Sequence, residues 1–246
     1  MTTPYRRHFT ILSVLFVALA IPLAIHPHDR MDWIMENVLV VAAAIGFWFI
    51  RNRFVFSRLS YTLIFVFLCL HEIGSHYTYA KVPYDEWFRT LTGRTFNELI
   101  GWERNNYDRV IHFSYGLLFA YPIREIFLRV ANVRGFWGYF LPLDLTMSTS
   151  MLYELIEWLV AAVFGGELGM AYLGTQGDVW DAHKDMALAS LGALIAMSVT
   201  AAVNVKWQRD FSREWIESLQ VKQRTPLGEG TLAARQAAKR GSSSKK

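Results

Sequence analysis

The sequence predicts an all-α, polytopic membrane protein with six transmembrane helices and both termini in the cytoplasm. Three observations carry that prediction. Hydrophobic residues make up 53% of the 246-residue chain and charged residues only 19%, against about 25% charged in a soluble domain. The apolar residues fall in blocks near the length that crosses a bilayer core as a helix, about 20 residues. Lys and Arg recur in alternate connections between those blocks, as the positive-inside rule requires.

The first block, 9–25, follows Arg6 and Arg7. It resembles a signal peptide up to Ala18, Leu19 and Ala20, but the apolar run continues to Ile25, so an uncleaved anchor is expected. The second block is 33–50 and the third 55–77. The fourth, 110–128, carries Pro122 and Arg124 near its end. The fifth, 136–164, is long and interrupted by polar residues; Asp144 after Pro142 reads as a break in it. The sixth runs from about 182 to 203. Gly192 with Ala196, and Ala189 with Ala193, read as close helix packing.

Arg51, Arg53 and Arg58 lie between blocks two and three, and Arg124, Arg129 and Arg134 around the turn from four to five. Ten further Lys and Arg follow block six, from Lys206 to Lys246. The opposite short connections, the first and fifth, hold Arg30 and Lys184, and the long third connection counts little in this rule. The chain therefore divides into a six-helix transmembrane domain, 1–205, with an outer loop, 81–108, and a basic cytoplasmic tail, 206–246, disordered from about 222. Placed this way, the formal net charge of +4 is topological. The tail fits attraction to anionic lipid; membrane lipid is the expected partner and nucleic acid is not. In the outer loop, Thr95 with Glu98 fits a capping box opening a short interfacial helix. The single cysteine, Cys69, excludes an internal disulfide and a Cys-based zinc site.

Ionisable groups inside a membrane are costly, so each is a candidate for function. Four groups stand out: His71, Glu72 and His76 in HEIGSH; Asp108, Arg109 and His112 in DRVIHF; Glu154 and Glu157 in YELIEW; and Asp178, Asp181, His183 and Asp185 in GDVWDAHKDM. The topology puts all four at the outer side. Residues three or four apart share a helix face, which pairs Asp108 with His112, Glu72 with His76, Glu154 with Glu157, and Asp181 with Asp185. His71 falls on a different face from His76. Carboxylates with imidazoles on facing helices are the ligand set of hard or borderline divalent metals. The expected ligands are His112, Glu154, Glu157, Asp181 and Asp185, holding zinc, manganese, iron or magnesium. Glu72, His76, Asp108 and Asp178 are the expected acid–base or positioning residues, with Asp108 orienting His112. HEIGSH is not HExxH, because its second histidine comes one position late. No serine elbow, Walker lysine loop or catalytic cysteine pattern is present. Three readings stay open: a metal or acid–base enzyme acting on a lipid or lipid-linked substrate, a proton or ion pathway, and a structural network pairing Arg109, Lys184 and the histidines with the carboxylates.

HEIGSHYTYAKVP, NNYDRVIHFSYG and GDVWDAHKDM resemble the uncharacterised bacterial inner-membrane proteins of the YjdF type, over about the first 205 residues. That resemblance implies a multi-pass inner-membrane protein and no established activity. The sequence is also similar, more weakly, to the VanZ-like membrane proteins of glycopeptide resistance. Asp108, His112 and Phe113 match an Asp-x-x-x-His-Phe helix entry, and Glu154, Asp181 and Gly192 match later positions. Glu157 and Asp185 stand where that family usually has amides, which makes this site more acidic and points to a cation.

Overall fold

The computed structural model describes residues 3–166, 175–207, 211–222, 230 and 234–236. Among them every regular element is helical: α1 (Thr3–Ala24), α2 (Arg30–Ile50), α3 (Arg58–His76), α4 (Tyr84–Thr92), α5 (Phe96–Ile100), α6 (Tyr107–Arg129), α7 (Trp137–Phe164), α8 (Asp181–Trp207) and α9 (Phe211–Ser218). The expected disorder beyond 222 lies almost wholly outside the described residues.

Side chains set several of the boundaries. Asp29 caps α2 by accepting from the amides of Met31 and Asp32, and Ser57 caps α3 by accepting from Ser60. Such a cap satisfies a donor that a helix start leaves without a partner. The capping box is present in α5: Thr95 accepts from the Glu98 amide and the Glu98 carboxylate accepts from the Thr95 amide. The loop over 81–108 thus holds two short helices, α4 and α5. One expectation is corrected. α7 runs through Pro142 and Asp144 as a single 28-residue helix. Pro142 lies so near the start that its missing N–H costs one bond, to Gly138, and the helix recovers.

Among the described residues, four helices are long and apolar enough to cross a membrane: α1 over Tyr5–Ala24, α2, α3 and α8. α6 and α7 have the length, 23 and 28 residues, but α6 carries Asp108, Arg109, Arg124, Glu125 and Arg129, and α7 carries Asp144, Glu154 and Glu157.

The closest pairing joins α6 to α8, with α3 and α7 flanking α6, and α1 and α2 leaning on α3. The reason is two glycines. A Cβ on Gly116 would stand 1.8 Å from the Ala189 carbonyl oxygen, and one on Gly192 would stand 2.2 Å from that of Phe113. The two backbones touch there, with Ala189 and Ala193 fully buried. This is the small-residue packing expected of Ala189, Gly192 and Ala193. α1 and α2 instead expose large side chains such as Val14, Ile21, Trp48 and Phe49, faces suited to lipid.

Candidate functional site

The starts of α6 and α8 meet the outer loop at one end of the bundle. Arg104, from the loop, donates from Nη2 to Asp181 Oδ1 at 2.6 Å, and from Nη1 to the Thr175 carbonyl at 2.5 Å. Arg109 bridges Asp178 at 2.5 Å and Asp181 at 3.2 Å, and Lys184 reaches Asp178 at 2.5 Å. Hydrogen bonds from Lys184, the Trp180 amide and Arg109 hold the Asp178 carboxyl down to about 2. Asp181 is more enclosed, and its Oδ2 is buried without a hydrogen-bond partner.

One turn deeper, no ion pair to arginine or lysine forms among the described residues. His112 Nε2 lies 3.6 Å from Asp108 Oδ1 and 3.5 Å from Glu154 Oε1. Donor atoms of Asp108, His112 and Asp185 lie within 4.8 Å of one another. Oxygen and nitrogen ligands sit about 2.0–2.6 Å from a divalent ion, so atoms this close suit one shared cation. Asp185 Oδ1 and Glu154 Oε1 are buried and have no hydrogen-bond partner. Glu157 is within hydrogen-bonding reach of Glu154. Buried carboxylate oxygens without partners are expensive, and a cation would satisfy them.

A cavity of about 350 Å³ opens from this cluster toward α2. Asp32, Glu36, His71, Asp108, His112 and Glu157 stand on its polar side; Val40, Phe67, Ile111, Phe119 and Ile156 form much of its apolar side. Tyr153 donates to Glu36 Oε2 at 3.1 Å. The Tyr79 hydroxyl lies 2.5 Å from His71 Nδ1. Thr78 and Tyr79 both have positive φ, 54° and 48°, a costly backbone for side chains other than glycine. The Tyr79 ring packs on Gly74, where a Cβ would stand 2.5 Å from it. Such strain persists where surrounding structure fixes it, often at sites.

The structure therefore brings together Asp108, His112, Glu154, Glu157 and Asp185. Asp178 and Asp181 stand at the mouth, held by arginine and lysine. Glu72 is buried with Oε2 unpartnered, but it is not part of the cavity lining. His76 is directed away: its Nδ1–H donates to the Leu23 carbonyl at 2.6 Å and ties α3 to α1. His71, on the other face, lines the cavity instead of His76. Asp32, Glu36, Tyr79, Tyr153 and Arg104 were not anticipated. The first two carried a signal: they are four apart, on one face of a helix that is apolar beyond Asn37.

Residues 8–206 match the family model described as "Predicted membrane protein (DUF2238)". The chain is 38% identical over 188 residues to the Inner membrane protein YjdF of Escherichia coli (strain K12), covering 76% of this chain and 86% of that protein. No solved structure matches. The chain belongs to the DUF2238 family of predicted membrane proteins, and its several apolar helices fit a multi-pass protein of the inner membrane.

Proposed function

We propose that the chain is a six-span inner-membrane enzyme that binds a divalent cation in an outward-facing acidic chamber and acts on a lipid or lipid-linked substrate. The observation that carries the reading is the convergence of Asp108, His112 and Asp185 donor atoms within 4.8 Å beside buried Glu154 and Asp181 oxygens that lack partners. In this reading α6 and α7 span with the four more apolar helices, and both termini lie in the cytoplasm. Residues 81–108 form the outer roof, and 206–246 form a cytoplasmic tail.

Asp108, His112 and Asp185 hold the ion, with Glu154 completing the set. A cation there supplies Lewis acidity and a bound water of lowered pKa. Glu157, beside Glu154 on the cavity wall, is placed to take up a proton. Arg104 and Arg109 neutralise Asp178 and Asp181 at the mouth and fix the roof. The apolar cavity wall supports an alkyl chain as part of the substrate. Leu39 on α2 and Leu152 on α7 line the cavity and are also exposed at the bundle surface, so a chain can enter from the side. Below the cluster the contact at Gly116 and Gly192 leaves no space between α6 and α8, which favours a closed site over a pathway continuing inward.

Metal analysis of the purified chain tests the reading. About one equivalent of divalent metal is expected, lost in His112→Ala and in Asp185→Asn. A metal-free wild-type protein, together with unchanged behaviour of Glu154→Ala, sinks the proposal. A periplasm-active reporter fused after Trp87 should be active and one fused after Arg213 inactive; the reverse overturns the topology.

A further inference from the structure

A second cavity, of about 380 Å³, lies at the far end of α6 from the acidic chamber. It is enclosed by the end of α6, the turn into α7, Asn204 of α8 and the start of α9. α9 is fastened there: Ser218 Oγ accepts from the Phe136 amide at 2.9 Å and the Ser218 carbonyl accepts from Trp137 Nε1 at 2.8 Å. The polar lining is Arg124, Asn132, Arg134, Tyr139, Asn204 and Glu214.

The two arginines are unlike their neighbour. Arg129 donates to Glu125 at 2.5 Å and to the Val55 carbonyl at 2.6 Å. Arg124 has its guanidinium 4.6 Å from the centre of the Tyr139 ring, and its Nε is buried with no hydrogen-bond partner. Neither Arg124 nor Arg134 has an ion pair among the described residues. Asn204 Nδ2 donates to the Tyr139 hydroxyl at 2.7 Å, which leaves that hydroxyl's hydrogen for another acceptor. With Glu214 counted against the two arginines, the lining keeps a net positive charge. Guanidinium stacked on an aromatic face with an edge left over is an arrangement that takes a phosphate in bidentate fashion.

We infer that this pocket, between the α6–α7 turn and α9, binds a phosphate-bearing anion through Arg124 and Arg134. The same chemistry is offered by the headgroup of an acidic phospholipid in the adjacent leaflet and by a free phosphorylated molecule.

The full chain, purified in detergent, is titrated with inorganic phosphate and followed by phosphorus NMR line broadening. In parallel it is placed in phosphatidylcholine nanodiscs with and without phosphatidic acid, and retained lipid is read by native mass spectrometry. Saturable binding in either arm is expected, weakened about tenfold or more by Arg124→Gln and by Arg134→Gln, as loss of one charge-assisted contact implies. Arg51→Gln, at the same end but away from the pocket, should leave it unchanged. A response to phosphate alone identifies a soluble ligand, and one to phosphatidic acid alone a lipid headgroup. Arg134 lies on an exposed turn, so its variant carries the test if Arg124→Gln does not fold. Binding in neither arm overturns the assignment. So does undiminished binding in the Arg134 variant, or an equal drop in Arg51→Gln.

Discussion

The two ends of α6 hold opposite excesses of charge. At its start, three cations, Arg104, Arg109 and Lys184, are taken up by Asp178 and Asp181. Deeper, His112 stands beside Glu154, Asp108 and Asp185, which form no ion pair to arginine or lysine among the described residues. At its far end, Glu125 takes the Ser57 amide, the Ser60 hydroxyl at 2.6 Å and Arg129. Arg124 and Arg134 are left over. Between the ends lies an uncharged seam of glycine and alanine. The comparison separates two kinds of polar group. Paired ones fix how helices and loops meet, and the unpaired ones at each end carry the two binding proposals.

That separation can be broken at several points. The largest effect is expected at the seam. Gly116→Val or Gly192→Val puts carbon inside a neighbouring carbonyl, so a loss above about 3 kcal/mol is expected. It would be seen as absence of monodisperse protein on size-exclusion chromatography; normal folding would show that the seam does not hold the two ends apart. Next comes the roof. Removing Arg104 and Arg109 together leaves Asp181, with a side chain only 3% exposed, as an uncompensated charge costing about 3 kcal/mol. Asp181→Asn in the same background should restore much of the melting temperature, and failure of that rescue would deny Asp181 its pairing role. Glu125→Gln should cost less, about 1–2 kcal/mol, because the amide oxygen can still accept from Ser57 or Ser60 while the bond to Arg129 loses its charge; it should not change metal content.

The smallest effect concerns Asp178. Its carboxyl is held down to about 2 against an ordinary 3.8, so its contribution is full above 3.8 and disappears as pH falls through about 2. A melting curve between pH 5 and 8 should therefore have the same slope for wild type and Asp178→Asn, with the offset between them closing only in strong acid. A difference in slope near pH 6 would mean that another group controls the roof.

Much of this arrangement is legible in the sequence because membrane solvent makes few patterns permissible. Apolar length, Lys and Arg placement and helical spacing are enough to expect Asp108, His112, Glu154, Glu157 and Asp185 at one end. Thr95 and Glu98 announce their helix start locally. What escapes is long-range. Arg104 reaches Asp181 from a loop 77 residues earlier, and nothing in its neighbourhood says so. His71 rather than His76 faces the cavity because His76 is turned to α1, where the Leu23 carbonyl accepts from it. Asp32 and Glu36 are visible as a spaced pair, but Asp32 falls just outside the apolar block 33–50, which leaves Glu36 as an isolated carboxylate within it.

The contact between α6 and α8 also has a consequence for synthesis. These helices are separated in the chain by the whole of α7, so Asp108, His112 and Glu154 leave the ribosome before Asp185 exists. Gly116 has no carbonyl to meet until Ala189 arrives. Until then the early carboxylates must wait without their final neighbours in a nascent bundle. Assembly of the chamber is thus a late event in biogenesis, completed by the last long helix to be made.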